Sequence, residues 1–366
     1  MNLALLGSTG SVGRQALEVL DKPPLVLTAS KNAALLEEQA RRLQPRLVCL
    51  EDESAGRNLK TALADTPVTV RYGAESAAEA ASFSGADTVL NAISGVTGLL
   101  PTLAALNAGK RLLLANKESL VCGAPLIRKA REIIPVDSEH SAVFQCLQGA
   151  EPDSVKRVIL TASGGAFRGF SREQLEQVTP EAALRHPTWR MGKKVTIDSA
   201  TLLNKGFELI EAMVLFALPY EKVSIVLHPE SIIHSLVEYT DGAMLAQLAV
   251  PDMRLPIRYA LTYPARKPAP VRPLDLTAQG SLTFAEPDRE TFRCLALAER
   301  AAQAGGNMGA ALCGAGEAAV EAFLAGRVGF LEIEERIERS LDNTPLIENP
   351  SLDDILDTVE MCKRAC

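Results

Sequence analysis

The hydrophobic pattern opens with a short apolar run, LALL, then a glycine turn, GSTGSVG, then a segment whose Ala16, Leu17, Val19 and Leu20 share one helical side. Similar apolar runs return at PLVLTASKN, PRLVCL, ADTVLNAISG and KRLLLANKESLV. Continuous apolar runs suit strands buried on both faces, and strands that alternate with helices build a parallel sheet. The first third therefore predicts an α/β fold with a Rossmann-like, nucleotide-binding sheet.

The pattern changes further along. KRVILTASGGAF reads as a strand, and KKVTIDSATLLNKGFELIEAMVLF as a short strand, a polar turn (Asp198 to Thr201) and an apolar helix. From Thr291 onward CLALAERAAQAGG, GEAAVEAFLAG and LEIEERIERSLDN carry helical period, the first two with glycine stops. They predict a small C-terminal helical bundle, with EIEERIER as a solvated helix face. The expected division is 1–137 for a nucleotide domain, 138–262 for a central α/β catalytic domain, 263–287 for a proline-rich connector and 288–366 for the helices.

Composition narrows the function. With 366 residues, 47% hydrophobic content and 23% charged, the chain has material for two or three domains. A net charge of −7 argues against a nucleic-acid or anionic membrane surface. Seven cysteines without a CxxC pair suggest reduced thiols. The absence of a leader pattern or a long apolar segment leads to a cytoplasmic expectation.

Candidate chemistry lies where strands end. Gly7, Gly10 and Gly13 are spaced G-x-x-G-x-x-G, which permits a tight turn and close approach of a pyrophosphate to a helix start. Ser30, Lys31 and Asn32 follow the second strand where an acid would select NAD, so NADPH is the expected cofactor. Asn116, Lys117 and Glu118 stand at the same carboxyl edge, Lys117 beside the expected nicotinamide.

In PVDSEHSA, Asp137 and Glu139 are two apart and point the same way if the strand continues, which calls for a cation between them. On that reading His140 faces the other way and stays out of the coordination sphere. Ser163 with two glycines offers groups to an anion. Asn204, Lys205 and Glu208 share a helix face, continued by Glu211, as in a phosphate clamp beside a metal ligand. Asp137, Glu139 and Glu208 form an oxygen-only set that favours Mg²⁺ or Mn²⁺. RHPTWRMGKK, residues 185–194, holds the only tryptophan and reads as a lid with His186 and Trp189 inside.

Taken in order, GSTGSVG, LANKESLV, PVDSEHSA, TASGGAF, HPTWRMG, IDSATLLNKGFELIEA, HPESIIHS and VPDMRLP resemble the 1-deoxy-D-xylulose 5-phosphate reductoisomerase family. The resemblance runs from residue 1 to about residue 295. It implies an NADPH- and metal-dependent rearrangement and reduction of that ketose phosphate to 2-C-methyl-D-erythritol 4-phosphate, on the route to isoprenoids. It further implies NADPH contacts at Thr9, Gly10, Ser11, Val12, Ser30, Lys31, Asn32, Asn116, Glu118 and Gly192, and metal ligation by Asp137, Glu139 and Glu208.

By the same resemblance Ser163, Ser199, Asn204 and Lys205 hold the phosphate. Lys117, Ser138, Glu139 and His186 line the rest of the substrate, with Trp189 and Met191 on the lid and Ser231 and His234 nearby. The family suggests a homodimer, for which AMLAQLAV offers a sheet edge. The departures are Ala166 for proline, Leu203 for methionine and Gly316 for asparagine, the last raising a question about helix stability.

Two other readings compete. A semialdehyde-type dehydrogenase needs a cysteine nucleophile, with Cys146 the nearest candidate. A non-catalytic NADPH sensor leaves the carboxylate set unexplained.

Overall fold

Short strands of three or four residues, mostly buried, supply the first sheet: β1 (Leu3–Leu6), β2 (Val26–Ala29), β3 (Leu47–Leu50), β4 (Thr69–Tyr72), β5 (Thr88–Asn91), β6 (Arg111–Leu114) and β7 (Ile133–Pro135). The computed structural model describes residues 1–127, 133–189 and 191–366. Among these, the seven strands pair in the order β4-β3-β2-β1-β5-β6-β7, each neighbouring pair parallel. Strand order reverses between β1 and β5, and open α/β sheets take ligands beyond the strand ends at such a point. The Rossmann-like expectation is met.

Contacts divide the chain into two units. One comprises Met1–Ser119, 133–141 and Asp252–Val271; the other comprises 120–127, Ala142–Pro251 and Arg272–Cys366. In the first, the helix Arg254–Thr262 packs on the helix Ser11–Val19. Arg258 ties the two through the Val19 carbonyl (2.6 Å) and Asp21 (2.7 Å).

The second unit holds β8 (Val155–Ala162), β9 (Val223–Leu227), β10 (Ile233–Tyr239) and β11 (Met244–Leu248), in the order β11-β10-β8-β9. β8 and β9 run parallel, while β10 is antiparallel to β8 and β11. The helix Leu203–Leu215 packs on β8, β9 and the helix Arg293–Ala304. Gly206 permits that last approach, because a Cβ there would lie 2.2 Å from the Ala298 Cβ. Helices Met308–Leu324, Glu332–Asn343 and Leu352–Ala365 complete the expected helical region. Among the described residues no helix is long and apolar enough to cross a membrane, and all seven cysteines are free.

Four local expectations change. KKVTID is helical: Lys193–Ala200 buries Thr196, Ile197 and Ala200, a three- and four-residue spacing that overrides the strand reading. In PVDSEHSA the strand stops at Pro135 and a helix starts at Ser138. Asp137 is therefore a helix-entry residue, its carbonyl accepting from the Ser141 amide at 2.8 Å. The solvated reading of EIEERIER fails at Glu334, which is buried and joined to Arg172 at 2.6 Å. Gly316 leaves the helix intact, and a Cβ there would meet Leu203 Cδ2 at 3.0 Å.

Candidate active site

In the first unit, β1 runs into Gly7, whose φ of +75° and 2.7 Å clearance to the Ala92 carbonyl oxygen admit no side chain. Thr9 and Gly10 lead to Ser11 and Val12, the first residues of a helix with neither a side-chain cap nor an acid in its first turn. Its amides are available to an anion. The turn is held from behind: Ser8 Oγ donates to Gln39 Oε1 (2.6 Å), Gln39 Nε2 to the Ser8 carbonyl (3.0 Å), and the Gly7 amide to Thr28 Oγ1 (2.9 Å). Gln39 was not singled out from the sequence. Its signal was a glutamine beside Leu36 and Ala40 on a buried helix face.

After β2, Ser30 and Lys31 are exposed, while Asn32 caps the next helix by accepting from the Leu35 amide at 3.1 Å. Asn116 is buried and spans the loop ends: its Nδ2 donates to the carbonyls of Ile93 (2.7 Å) and Gly95 (2.8 Å), and its Oδ1 accepts from the Ser119 amide. Its side chain is committed to architecture, as is that of Asn32. Glu118 is buried beside it and accepts from Asn116 Nδ2 at 3.2 Å.

Lys117 reaches Asp137, with Nζ 2.5 Å from Oδ2. Burial alone would raise the Asp137 carboxyl, but the Lys117 ammonium and the His140 ring outweigh it and hold the group well below the usual range. His140 Nδ1 stands 3.9 Å from Asp137 Oδ1. Strand alternation would turn His140 away from Asp137, whereas one helical turn brings it to Asp137's side. Ser138 Oγ donates to Glu139 Oε2, and the Glu139 amide reaches Asp137 Oδ1 at 3.4 Å.

The second unit gathers the remaining polar residues. Glu208 accepts at Oε1 from Asn204 Nδ2 and at Oε2 from Lys205 Nζ, which also donates to the Thr161 carbonyl. Lys205 and Glu208 are 4% and 1% exposed, so this is a buried pair and not a surface ornament. Leu202, at φ +61°, makes the sharp entry to this helix directly after the Ser199 helix. Ser163 follows β8, and Gly165 at φ +69° packs on the Ser199 and Ala200 backbone.

His186 Nδ1 accepts from the amides of Thr188 (3.1 Å) and Trp189 (2.9 Å), which leaves its proton on Nε2 for Ser163 Oγ at 3.0 Å. Burial lowers its affinity for a second proton. Position 190 of the lid sequence lies outside the described residues; Met191 and Gly192 lead into the helix Lys193–Ala200. At the root of that helix Lys194 binds Asp198 at 2.7 Å and lies over the Phe207 ring. The sequence reading places Asp198 in a polar turn and does not pair it with Lys194, although their i, i+4 spacing is visible.

Ser231 sits in the left-handed region at φ +52°, and the His234 ring lies 6.0 Å from Trp189. His228 braces this loop, its Nε2 accepting from the Ile232 and Ile233 amides at 3.1 Å. Cys146 is buried at a helix end, and burial of this kind suits packing better than attack on a carbonyl.

Comparisons with known proteins give the same picture along the whole chain. The family model for 1-deoxy-D-xylulose 5-phosphate reductoisomerase matches residues 3–124, and two C-terminal domain models of that enzyme match 133–216 and 248–365. A relative of that name from Caldanaerobacter subterraneus subsp. tengcongensis is 50% identical over 365 residues, covering 97% of this chain and 95% of its own. One from Agathobacter rectalis is 48% identical over 369 residues, covering 98% and 97%.

Among solved structures, the Zymomonas mobilis enzyme in complex with NADPH superposes with a TM-score of 0.92 at 41% identity, covering 100% of this chain and 97% of its own. A DOX-P reductoisomerase in complex with NADPH, fosmidomycin and magnesium gives a TM-score of 0.95 at 39% identity over the same shares. On the strength of this full-length likeness, the chain belongs to the 1-deoxy-D-xylulose 5-phosphate reductoisomerase family.

Proposed function

We infer that this protein rearranges 1-deoxy-D-xylulose 5-phosphate and reduces it with NADPH to 2-C-methyl-D-erythritol 4-phosphate, using a divalent metal, in the methylerythritol phosphate supply of isoprenoid precursors. The observation that carries the reading is the Asn204–Lys205–Glu208 cluster, a buried cation and carboxylate on one helix face in a chain similar to this family throughout. Asp137, Glu139 and Glu208 are the proposed ligands. The donor set fits a hard dication: three carboxylates and no thiol, with a lysine standing at Asp137 and at Glu208 where positive charge is needed. When bound, the dication supplies Lewis acidity at the substrate carbonyl and NADPH supplies the hydride.

The chain's own residues bind and orient. The proposed phosphate ligands are Ser163, Ser199, Asn204 and Lys205, held together by the Gly165 contact and the Leu202 turn. Binding energy there, away from the reacting carbons, favours lid closure and correct placement of the substrate. Neutral His186 donates from Nε2, which suits contact with an uncharged substrate hydroxyl or a phosphate oxygen. Lys117, Ser138, Glu139 and Trp189 complete the proposed substrate lining, with Met191 on the lid. Thr9 to Val12, Ser30 to Asn32, Asn116, Glu118 and Gly192 are the proposed NADPH contacts, Asn32 and Asn116 through their main chains because their side chains are engaged.

The reading includes a cytoplasmic homodimer. β11 is an edge strand with Met244 and Leu245 about half exposed, which supports edge-to-edge pairing of two copies. It also keeps the four-part division by role, with residues 1–137 serving NADPH and 138–262 the chemistry. The test is NADPH absorbance with 1-deoxy-D-xylulose 5-phosphate, with and without Mg²⁺ or Mn²⁺. Consumption only with metal, lost in Glu208→Gln, is expected; turnover in metal-free enzyme would refute the assignment.

A further inference from the structure

Each unit presents a lysine bonded to a carboxylate that the reading above assigns to the metal. In the first, Lys117 Nζ lies 2.5 Å from Asp137 Oδ2, the side chains 10% and 11% exposed. In the second, Lys205 Nζ donates to Glu208 Oε2, with 5% and 2% exposed. Both lysines are also proposed substrate ligands. An ammonium bonded to a carboxylate oxygen occupies the lone pairs that a dication would use, and little water is present to screen the repulsion between the two cations.

We propose that Lys117 and Lys205 are exchangeable counter-charges: each neutralises its carboxylate while no dication is bound, and metal binding turns each toward the substrate. The inference rests on the metal reading and adds an order to it. A carboxylate buried without a cation is costly, so some positive charge has to stand at Asp137 and Glu208 before the metal arrives. With the metal in place, the lysine's attraction to that carboxylate is weakened and its three donors turn to anionic or polar oxygens. Metal and phosphate binding are then positively coupled, and by linkage each strengthens the other by the same factor.

Mn²⁺ binding, followed by the electron paramagnetic resonance signal of the free ion, tests this without turnover. Lys117→Met and Lys205→Met keep the aliphatic stem and remove the competing charge. Each should bind Mn²⁺ about tenfold more tightly than wild type, the scale of coupling between close, poorly hydrated charges. Lys205→Arg, which keeps the charge, should show no tightening. In wild type, Mn²⁺ should strengthen binding of inorganic phosphate, and Lys205→Met should lose that effect.

Thermal unfolding checks that the variants fold, and Lys117→Met tests the claim independently if Lys205→Met does not. Methionine variants that bind Mn²⁺ no better than wild type would overturn the exchange and leave the metal reading standing. A wild-type protein that binds no Mn²⁺ would overturn both.

Discussion

Gly165→Ala should damage the protein through the contact between the loop after β8 and the helix that carries Ser199. At φ +69° an alanine is placed in the left-handed region, which costs about 1 kcal/mol. Its Cβ would lie 2.5 Å from the Ser199 carbonyl oxygen and 2.7 Å from Ala200 Cα, main-chain atoms that cannot rotate away. Forcing extra volume into such a contact costs about 1–3 kcal/mol, for a total of about 2–4 kcal/mol.

Gly164→Ala is the internal control. Its φ is +86°, yet the three atoms nearest its Cβ all belong to the side chain of Arg168, which is exposed and can move, so about 1 kcal/mol is expected. Urea unfolding of both variants measures the difference. Steady-state kinetics should show Gly165→Ala raising KM for the ketose phosphate while KM for NADPH stays near wild type. Equal destabilisation by the two alanines, or an unchanged ketose phosphate KM, would refute the claim that this packing shapes the phosphate site.

Gln39→Leu should lower stability by about 1–3 kcal/mol, by leaving the Ser8 carbonyl without its partner, and should raise KM for NADPH and not for the sugar phosphate. Denaturation curves and kinetics with each substrate varied would check it. His234 gives a pH prediction: burial lowers its pKa to about 4, whereas the unfolded ring takes a proton near 6.5. The unfolded state then binds more protons between these values, so this contribution is whole above pH 6.5, declines as pH falls to about 4, and amounts to at most about 3 kcal/mol. Urea midpoints at pH 7 and pH 5 should converge in His234→Gln relative to wild type.

The parallel sheet was legible because β1, β2, β3, β5 and β6 are apolar on both faces and each ends in a turn or a polar cluster. The NKG helix was legible because its polar residues fall at three- and four-residue spacing in an apolar segment. Helix-versus-strand decisions over short segments were harder. KKVTID alternates well enough for a strand, and only its packing on both sides makes it helical. The turn at Asp137 depends on how β7 ends after Pro135, which no periodicity announces, and so His140 was set aside for a geometry that the chain does not adopt. Glu334 was read by its charged neighbours, whereas its burial depends on Arg172, which is distant in sequence. Residues that brace others, such as Gln39 and His228, carry no chemistry of their own and stay silent until the partners are known.

Diffraction from crystals grown with Mn²⁺, collected at a wavelength where manganese scatters anomalously, tests the central claim most directly. An anomalous peak within coordination distance of Asp137, Glu139 and Glu208, with Lys117 and Lys205 drawn back from their carboxylates, is the predicted result. No peak at these oxygens, or a peak ligated elsewhere while both lysine pairs remain closed, would contradict it.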